Sequence, residues 1–197
     1  MEMLRIGLTG GVGSGKSRVI FWMEKVCGAK IIRTDELARQ LMEPGREGYR
    51  RVVETLGTSC LDGEQRIDRA ALAEMIFQDK RARETVNGIT HPLVWEQVKR
   101  ELGLAKEDEY PMAVVESALF DETSLSFLDE IWYVHTSRET RMARLMESRG
   151  YSREKCEAIF SSQKSEQEFC QFCAKVIEND GDWEKTEEVL RGMLEGI

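Results

Sequence analysis

A glycine-rich segment near the start of the chain places the strongest constraint on its fold. The letters GGVGSGKS occupy positions 10–17, directly after the apolar run LRIGLTG at Leu4–Gly10. That run predicts a buried strand, and the residues from Lys16 to Cys27 predict a helix. The predicted apolar face of this helix consists of Val19, Ile20, Met23 and Val26. A strand, a glycine loop and a helix in this order expose backbone N–H groups that can hold an anion.

The spacing of the glycine-rich segment matches the pattern G-x-x-x-x-G-K-S. In this pattern the loop N–H groups and the helix N-terminus cradle the β- and γ-phosphates of a nucleoside triphosphate. Lys16 adds a positive charge on those phosphates, and the Ser17 hydroxyl is expected to coordinate Mg²⁺. The predicted ATP-binding residues of the loop are Gly11, Val12, Gly13, Ser14, Gly15, Lys16, Ser17 and Arg18.

Four further short strands are predicted along the chain, and helical stretches separate them. They lie in the stretches Ala29–Asp35, 110–120, 130–136 and Ala174–Asp180. This alternation predicts an α/β fold, with a P-loop NTPase-type five-stranded parallel sheet flanked by helices.

A long helical insertion is predicted between the second and third strands. Tyr49 and Val52 lie on one face of a first helix, and Asp68 is a plausible N-cap for a second. A third helix is expected to start at Pro92, because a fixed φ suits the first turn. The insertion is far longer than a crossover requires, so it predicts a substrate-side subdomain. We expect a nucleotide-binding core (1–35, 110–136 and 166–197), a helical acceptor domain (36–109) and a lid (137–165).

The predicted lid is basic although the chain carries a net charge of −8. Arg138, Arg141 and Arg144 recur at three-residue spacing on its first helix. They form either a solvated helix face with Glu partners or a cationic surface that closes over phosphates. We favour the second interpretation, chiefly for Arg144.

Composition excludes several other classes of protein. The acidic balance argues against nucleic-acid binding, and no apolar run is long enough for a membrane span. Five cysteines without a secretion signal favour reduced thiols and a cytoplasmic location. The pair Cys170 and Cys173 is expected in the middle of a helix as a buried i, i+3 pair, not as a zinc or redox site. The oligomeric state stays open between a monomer and a weak oligomer.

The absence of D-x-x-G and N-K-x-D motifs argues against a GTPase and leaves a small-molecule kinase. Asp35 is expected to end the second strand, at the sheet edge where such folds bind ligands. It either caps the following helix or accepts the proton of the acceptor hydroxyl, and we favour the second role. Lys16 and Asp35 are therefore the catalytic candidates.

Several segments in this order resemble the dephospho-CoA kinase family. They are IGLTGGVGSGKS, TDELARQLMEPG, DRAALAEMIF, HPLV, SRETRMARLM and VIENDG. The resemblance implies ATP-dependent phosphorylation of the ribose 3′-hydroxyl of dephospho-CoA, the last step of coenzyme A synthesis. It assigns proton acceptance to Asp35, which also lies in the acceptor site with Arg39, His91 and Pro92. It places Arg144 at the nucleotide phosphates and Asn179 near the adenine.

Two alternatives remain open at this point. The first is another nucleoside or nucleoside-monophosphate kinase on the same core, which an acceptor panel would separate. The second is a nucleotide-binding regulator with weak turnover, because the chain departs from the family pattern at Arg33, Ser148 and Ala174.

Overall fold

The computed structural model describes residues 2–118 and 120–195. The part of the predicted third strand at Leu119 lies outside the described residues, as do the ends of the predicted core at positions 1, 196 and 197. The strands are β1 Leu4–Thr9, β2 Lys30–Arg33, β3 Met112–Glu116, β4 Glu130–His135 and β5 Lys175–Glu178. The helices are α1 Lys16–Cys27, α2 Thr34–Leu41, α3 Glu47–Leu56, α4 Arg69–Gln78, α5 Lys80–Glu107, α6 Glu122–Leu125, α7 Arg138–Arg149, α8 Arg153–Ser162, α9 Glu166–Cys170 and α10 Trp183–Leu194.

The five strands form one parallel sheet in the order β2-β3-β1-β4-β5, which confirms the predicted fold class. β1 is central and pairs with β3 from Leu4 opposite Met112, and with β4 from Ile6 opposite Glu130. Its last four residues are buried, as expected of a strand with both sheet faces covered. The carboxyl end of β1 is therefore held on both sides where the glycine loop begins.

The sheet packs against α1 and α10 through one apolar cluster. Five of its members have no exposed surface, namely Ile6, Val19, Trp132, Ile177 and Leu190. Truncating such a residue to alanine typically costs about 2–5 kcal/mol of folding free energy. This cluster fixes α1, and with it the loop that precedes α1, against the sheet.

The chain divides into two compact units at two places, between Ile32 and Arg33 and between Leu104 and Ala105. The smaller unit contains α2, α3, α4 and most of α5. Asp68 is the N-cap of α4, and its side chain accepts hydrogen bonds from Ala70 N and Ala71 N, as predicted. No helix within the described ranges has the length and apolar composition that crossing a bilayer requires.

The buried face of α1 differs from the predicted one. Val19, Ile20 and Met23 are buried, but Val26 is 51% exposed and Trp22 is buried instead. The prediction for Val26 was wrong because the large indole of Trp22 joins the core cluster and shifts the buried face toward itself.

The second strand is shorter than predicted. β2 ends at Arg33 and α2 begins at Thr34, so Asp35 lies in the first turn of a helix and not at the end of a strand. Arg33 occupies the N-cap position, which means that Asp35 does not cap the helix either. Two acidic residues in the first turn, Asp35 and Glu36, favour helix formation by their interaction with the helix dipole.

The predicted helix start at Pro92 was wrong, because Pro92 lies inside the 28-residue helix α5. An interior proline removes one backbone hydrogen bond and costs about 3 kcal/mol. Apolar residues on both sides of Pro92 are buried, including Val86, Val94 and Val98, and their packing offsets this cost.

The cysteine pair is not in the middle of a helix. Cys170 is the last residue of α9, and Cys173 lies beyond the helix end. The Cys173 thiol donates a hydrogen bond to Phe169 O at 3.1 Å, and both cysteines are half-buried free thiols. Two residues separate them, in a turn that follows the end of α9.

Candidate functional site

The glycine loop occupies the six positions between β1 and α1. Gly13 and Gly15 adopt positive φ angles of 83° and 87°, a region that favours glycine. The Ser14 N–H donates to Gly11 O at 3.1 Å, which closes a turn inside the loop. Among the described residues, the N–H groups of Gly13, Gly15 and Ser17 find no hydrogen-bond acceptor. These groups and the start of α1 form a cradle for an anion.

Lys16 lies along the loop that precedes it. Its Nζ donates to Gly10 O at 2.6 Å and to Gly11 O at 3.3 Å. The flexible four-carbon stem lets the same ammonium group reach an anion held by the loop. The ammonium group of Lys16 therefore lies against the first two residues of the loop.

Ser17 and Arg18 are exposed in the first turn of α1. The Arg18 guanidinium lies 4.4 Å from the ring centre of Trp183 in α10. Its side chain makes this cation–π contact, and its backbone N–H donates to Gly15 O at 3.0 Å. A role for Arg18 in ATP binding stays a prediction.

Asn179 supports the loop from the end of β5. Its side chain has little exposure, with 4% of the residue surface accessible, and Nδ2 donates to Ser14 O at 2.7 Å. Its Oδ1 accepts from the Thr186 hydroxyl at 3.1 Å. A Cβ added at Gly15 would collide with Asn179 Nδ2, so the position of Asn179 requires a glycine at residue 15. Asn179 thus fixes the backbone of the loop.

Arg144 projects from α7 to the same place. One guanidinium nitrogen donates to Asn179 O at 2.8 Å, and the other contacts Thr136 Oγ1 at 3.4 Å. The structure therefore brings Arg144 and Asn179, two residues that sequence predicted separately, together beside the glycine loop. An arginine here places a permanent positive charge near the anion cradle.

Two residues beside the loop were missed as site residues. Arg141 Nε donates to Val12 O at 2.8 Å, and its NH2 group donates to Gln163 Oε1 at 2.5 Å. Gln163 Oε1 also accepts from Val12 N at 3.3 Å. Arg141 and Gln163 therefore bind one residue of the loop, Arg141 through its carbonyl and Gln163 through its N–H. We call these three residues the Val12 clamp.

Burial lowers the pKa of Arg141 from its usual value, and the nearby charge of Arg138 acts in the same direction. Phe160 stacks under the guanidinium at 4.4 Å from its ring centre. The three-residue spacing of the arginines could have indicated Arg141 in the sequence. Nothing in the sequence indicated Gln163, which is 151 positions away from Val12.

The predicted acceptor residues lie in the smaller unit and are all exposed. Asp35 and Arg39 are four residues apart on α2 and share one helix face. His91 and Pro92 are adjacent in α5. Within the described part of the chain, no hydrogen bond or ion pair joins the α2 pair to the α5 pair.

A metal can be tested against the donor atoms present. In the described residues, no group of three or more His, Cys, Asp or Glu side chains could hold a metal ion. Mg²⁺ does not need such a cage, because it is usually held by one or two protein oxygens together with substrate phosphates. The exposed Ser17 hydroxyl next to the cradle fits that kind of site. Among the described residues, the buried hydroxyls of Thr9, at the end of β1, and of Ser14, in the loop, have no hydrogen-bond partner, so unsatisfied polar atoms lie at this place.

Known proteins resemble this chain over nearly its whole length. The family model described as dephospho-CoA kinase matches residues 4–185. A dephospho-CoA kinase from Geobacter metallireducens is 37% identical over 186 residues, covering 94% of this chain and 92% of the relative. One from Carboxydothermus hydrogenoformans is 33% identical over 191 residues, covering 96% and 92%. The solved structure of TT1252 from Thermus thermophilus superimposes with a TM-score of 0.80 at 29% identity, covering 100% of this chain and 99% of the other.

Proposed function

The chain belongs to the dephospho-CoA kinase family, and on this premise we propose that it phosphorylates the ribose 3′-hydroxyl of dephospho-CoA with ATP. The product is coenzyme A, and the reaction is the last step of its biosynthesis. The observation that carries the proposal is the family match over residues 4–185, which includes the glycine loop and its cradle of N–H groups.

The nucleotide side of the reaction rests on the residues around the loop. The cradle from Gly11 to Arg18 binds the ATP phosphates, and Lys16 neutralises charge on the β- and γ-phosphates. Arg144 adds a second positive charge that stabilises the phosphates during transfer. Asn179 lies near the adenine and holds the loop. The Val12 clamp keeps the loop in its binding conformation.

Ser17 would hold Mg²⁺ together with the nucleotide phosphates. A bound Mg²⁺ supplies charge neutralisation for the phosphates during transfer. The hydroxyl of Ser17 is suited to this position because it is exposed and follows Lys16 in the first turn of α1.

The acceptor side rests on Asp35, Arg39, His91 and Pro92. The 3′-hydroxyl oxygen of the acceptor forms a bond to the γ-phosphorus, the bond from that phosphorus to ADP breaks, and the hydroxyl proton passes to the Asp35 carboxylate. Asp35 is exposed in the first turn of α2, so its carboxylate is accessible to an acceptor. Arg39 supplies positive charge on the same helix face, which suits a phosphate-bearing acceptor.

We also propose an acceptor domain at 36–109, a lid at 137–165, a cytoplasmic location and no nucleic-acid partner. The free thiols of the described cysteines agree with a reducing compartment.

An acceptor panel tests the proposal. The purified protein with ATP and Mg²⁺ is expected to form ADP and coenzyme A with dephospho-CoA, and much less ADP with AMP, CMP or shikimate. Equal turnover with AMP would contradict the acceptor assignment and indicate a nucleoside-monophosphate kinase. ATP binding without ADP formation from any acceptor would identify a nucleotide-binding protein without kinase activity.

A further inference from the structure

A large cavity lies within the smaller unit, away from the glycine loop in sequence. Its volume is about 630 Å³, within the range of roughly 300–1,000 Å³ that small-molecule sites occupy. The end of α2, the turn after it, the segment before α4 and the start of α4 form its walls. The apolar part of the lining consists of Ala38, Met42, Pro44, Ile67 and Leu72.

Three arginines also line the cavity, namely Arg39, Arg66 and Arg69. Arg66 is ion-paired with Glu64 at 2.9 Å. The guanidinium groups of Arg39 and Arg69 have no hydrogen bond or ion pair to any residue of 2–118 or 120–195. Both groups are therefore available to an anionic ligand, and a guanidinium binds phosphate in a bidentate geometry.

Two of the acidic residues in the lining are engaged in holding the walls. Asp62 Oδ1 accepts from Glu64 N and Arg66 N, each at 2.9 Å. Asp68 Oδ1 accepts from Ala70 N at 2.9 Å and from Ala71 N at 3.1 Å. Their charge is partly neutralised by these N–H groups, and the third acid, Glu43, is exposed on the turn after α2. The lining thus holds three arginines and three acids, and Arg39 and Arg69 are its two cations without a hydrogen-bond or ion-pair partner among the described residues.

The cavity continues a stripe that begins at Asp35. Asp35, Ala38, Arg39 and Met42 have the spacing of one helical face, and the last three line the cavity. At a rise of 1.5 Å per residue, the stripe extends for about 10 Å from Asp35 to Met42. A ligand whose reacting hydroxyl meets Asp35 can therefore extend along α2 into the cavity.

We propose that this cavity binds the phosphopantetheine arm of the acceptor, with Arg39 and Arg69 at the pyrophosphate that joins the arm to the ribose and the apolar walls around the uncharged amide chain. The proposal rests on the proposed function for the identity of the acceptor. In dephospho-CoA a pyrophosphate separates the ribose from the pantetheine chain, so the order of groups matches the stripe: carboxylate, guanidinium, apolar wall.

The test measures the binding of 4′-phosphopantetheine, which carries the arm and one phosphate but no ribose. Calorimetric titration of the full chain compares wild type with Arg69→Gln and with the control Arg81→Gln. Arg81 is an exposed arginine of the same unit that does not line the cavity. We expect Arg69→Gln to weaken binding about 10-fold or more and Arg81→Gln to change it less than about 2-fold.

Steady-state kinetics supply the second readout. Arg69→Gln is expected to raise KM for dephospho-CoA about 10-fold while KM for ATP stays unchanged. No binding of phosphopantetheine at millimolar concentration, or equal effects of the two variants, overturns the cavity assignment even if the protein makes coenzyme A. Binding that Arg69→Gln weakens, in a protein that forms no coenzyme A, supports the cavity and refutes the proposed reaction.

Discussion

The side-chain amide of Asn179 donates a hydrogen bond to the backbone carbonyl of Ser14 at 2.7 Å, and 165 residues of chain separate the two. The contact joins the end of β5 to the glycine loop after β1, two strands that are not neighbours in the sheet. Because Asn179 is buried, both ends of its amide need partners, and it has them in Ser14 and Thr186.

Replacing Asn179 is expected to destabilise the fold as well as the loop. Asn179→Ala removes one hydrogen bond from the Ser14 carbonyl and one from the Thr186 hydroxyl, whose other partners, Thr136 Oγ1 and Glu178 O, remain. Losing two hydrogen bonds is expected to cost about 1–3 kcal/mol in the free energy of unfolding. Urea denaturation followed by circular dichroism measures this change. A midpoint equal to that of wild type would mean that water replaces the amide at no cost.

Gly15→Ala is expected to abolish tight ATP binding. The positive φ of 87° disfavours any side chain, and the added Cβ would collide with Asn179 Nδ2. Gly63→Ala is the matched control, because its Cβ meets nothing within 4 Å and its φ is outside the positive region. Fluorescence titration with an ATP analogue should show a Kd at least 10-fold weaker for Gly15→Ala and unchanged for Gly63→Ala. The expected size follows from a backbone strain of about 1–2 kcal/mol at residue 15. Equal affinities in both variants would contradict the requirement for glycine in this loop.

The Val12 clamp predicts a specific role for Arg141. Arg141→Met keeps an unbranched apolar stem but removes the donors to Val12 O and Gln163 Oε1. Loss of charge-assisted hydrogen bonds should raise KM for ATP about 10-fold, with a smaller effect on kcat. Arg153→Met, an exposed arginine at the start of α8, is the control and should leave both constants near wild type. If Arg141→Met also behaves like wild type, Gln163 alone suffices to position the loop.

Asp35→Asn tests the proposed proton acceptor. The amide is almost isosteric but cannot accept the hydroxyl proton, so kcat should fall by about 10²–10⁴-fold while the Kd for ATP is retained. Glu36→Gln removes the neighbouring charge from the same helical turn and should retain most of the activity. Rapid-quench measurement of ADP formation gives kcat for both. An unchanged kcat in Asp35→Asn would leave Asp35 with only its interaction with the helix dipole.

The half-buried thiol of Cys173 is expected to lower the free energy of unfolding at alkaline pH. Burial, assisted by the nearby Cys170, raises the pKa of the Cys173 thiol to about 12 from the ordinary value of 9.0. Above pH 9 the unfolded chain has released this proton while the folded chain still holds it, so the free energy of unfolding falls as the pH rises from about 9 to about 12.

Cys173→Ser removes this titration and can keep a hydrogen bond to Phe169 O. Urea midpoints measured at about pH 8 and about pH 10 should therefore fall more in wild type than in the variant. Parallel pH curves would show that the thiol ionises equally easily in both states.

The fold class and the nucleotide-binding loop were predictable from local sequence. Apolar runs of strand length around a glycine loop specify β1 and α1, since both the period of hydrophobicity and the position of each glycine are local properties. Asp68 was recognised as a cap for the same reason, because a capping side chain bonds to the N–H groups two and three residues ahead.

Element boundaries inside the smaller unit were not predictable in this way. Pro92 indicates a helix start by its local geometry, but the buried residues before and after it continue the helix through it. Asp35 was placed at a strand end, whereas the acidic first turn of α2 begins directly at Thr34. Packing elsewhere in the chain overrides local preference at such positions.

The sequence alone determined that this chain has a parallel sheet, an anion-binding loop and a cationic helix after the fourth strand, because each of these features depends on residues close together in the chain. Only the tertiary structure decided that Asn179, Arg144, Arg141 and Gln163 meet at that loop, and that Arg39 and Arg69 line one cavity. Hydrogen bonds across 129 to 165 residues have no periodic signal, since the chain folds them together only after its strands have paired.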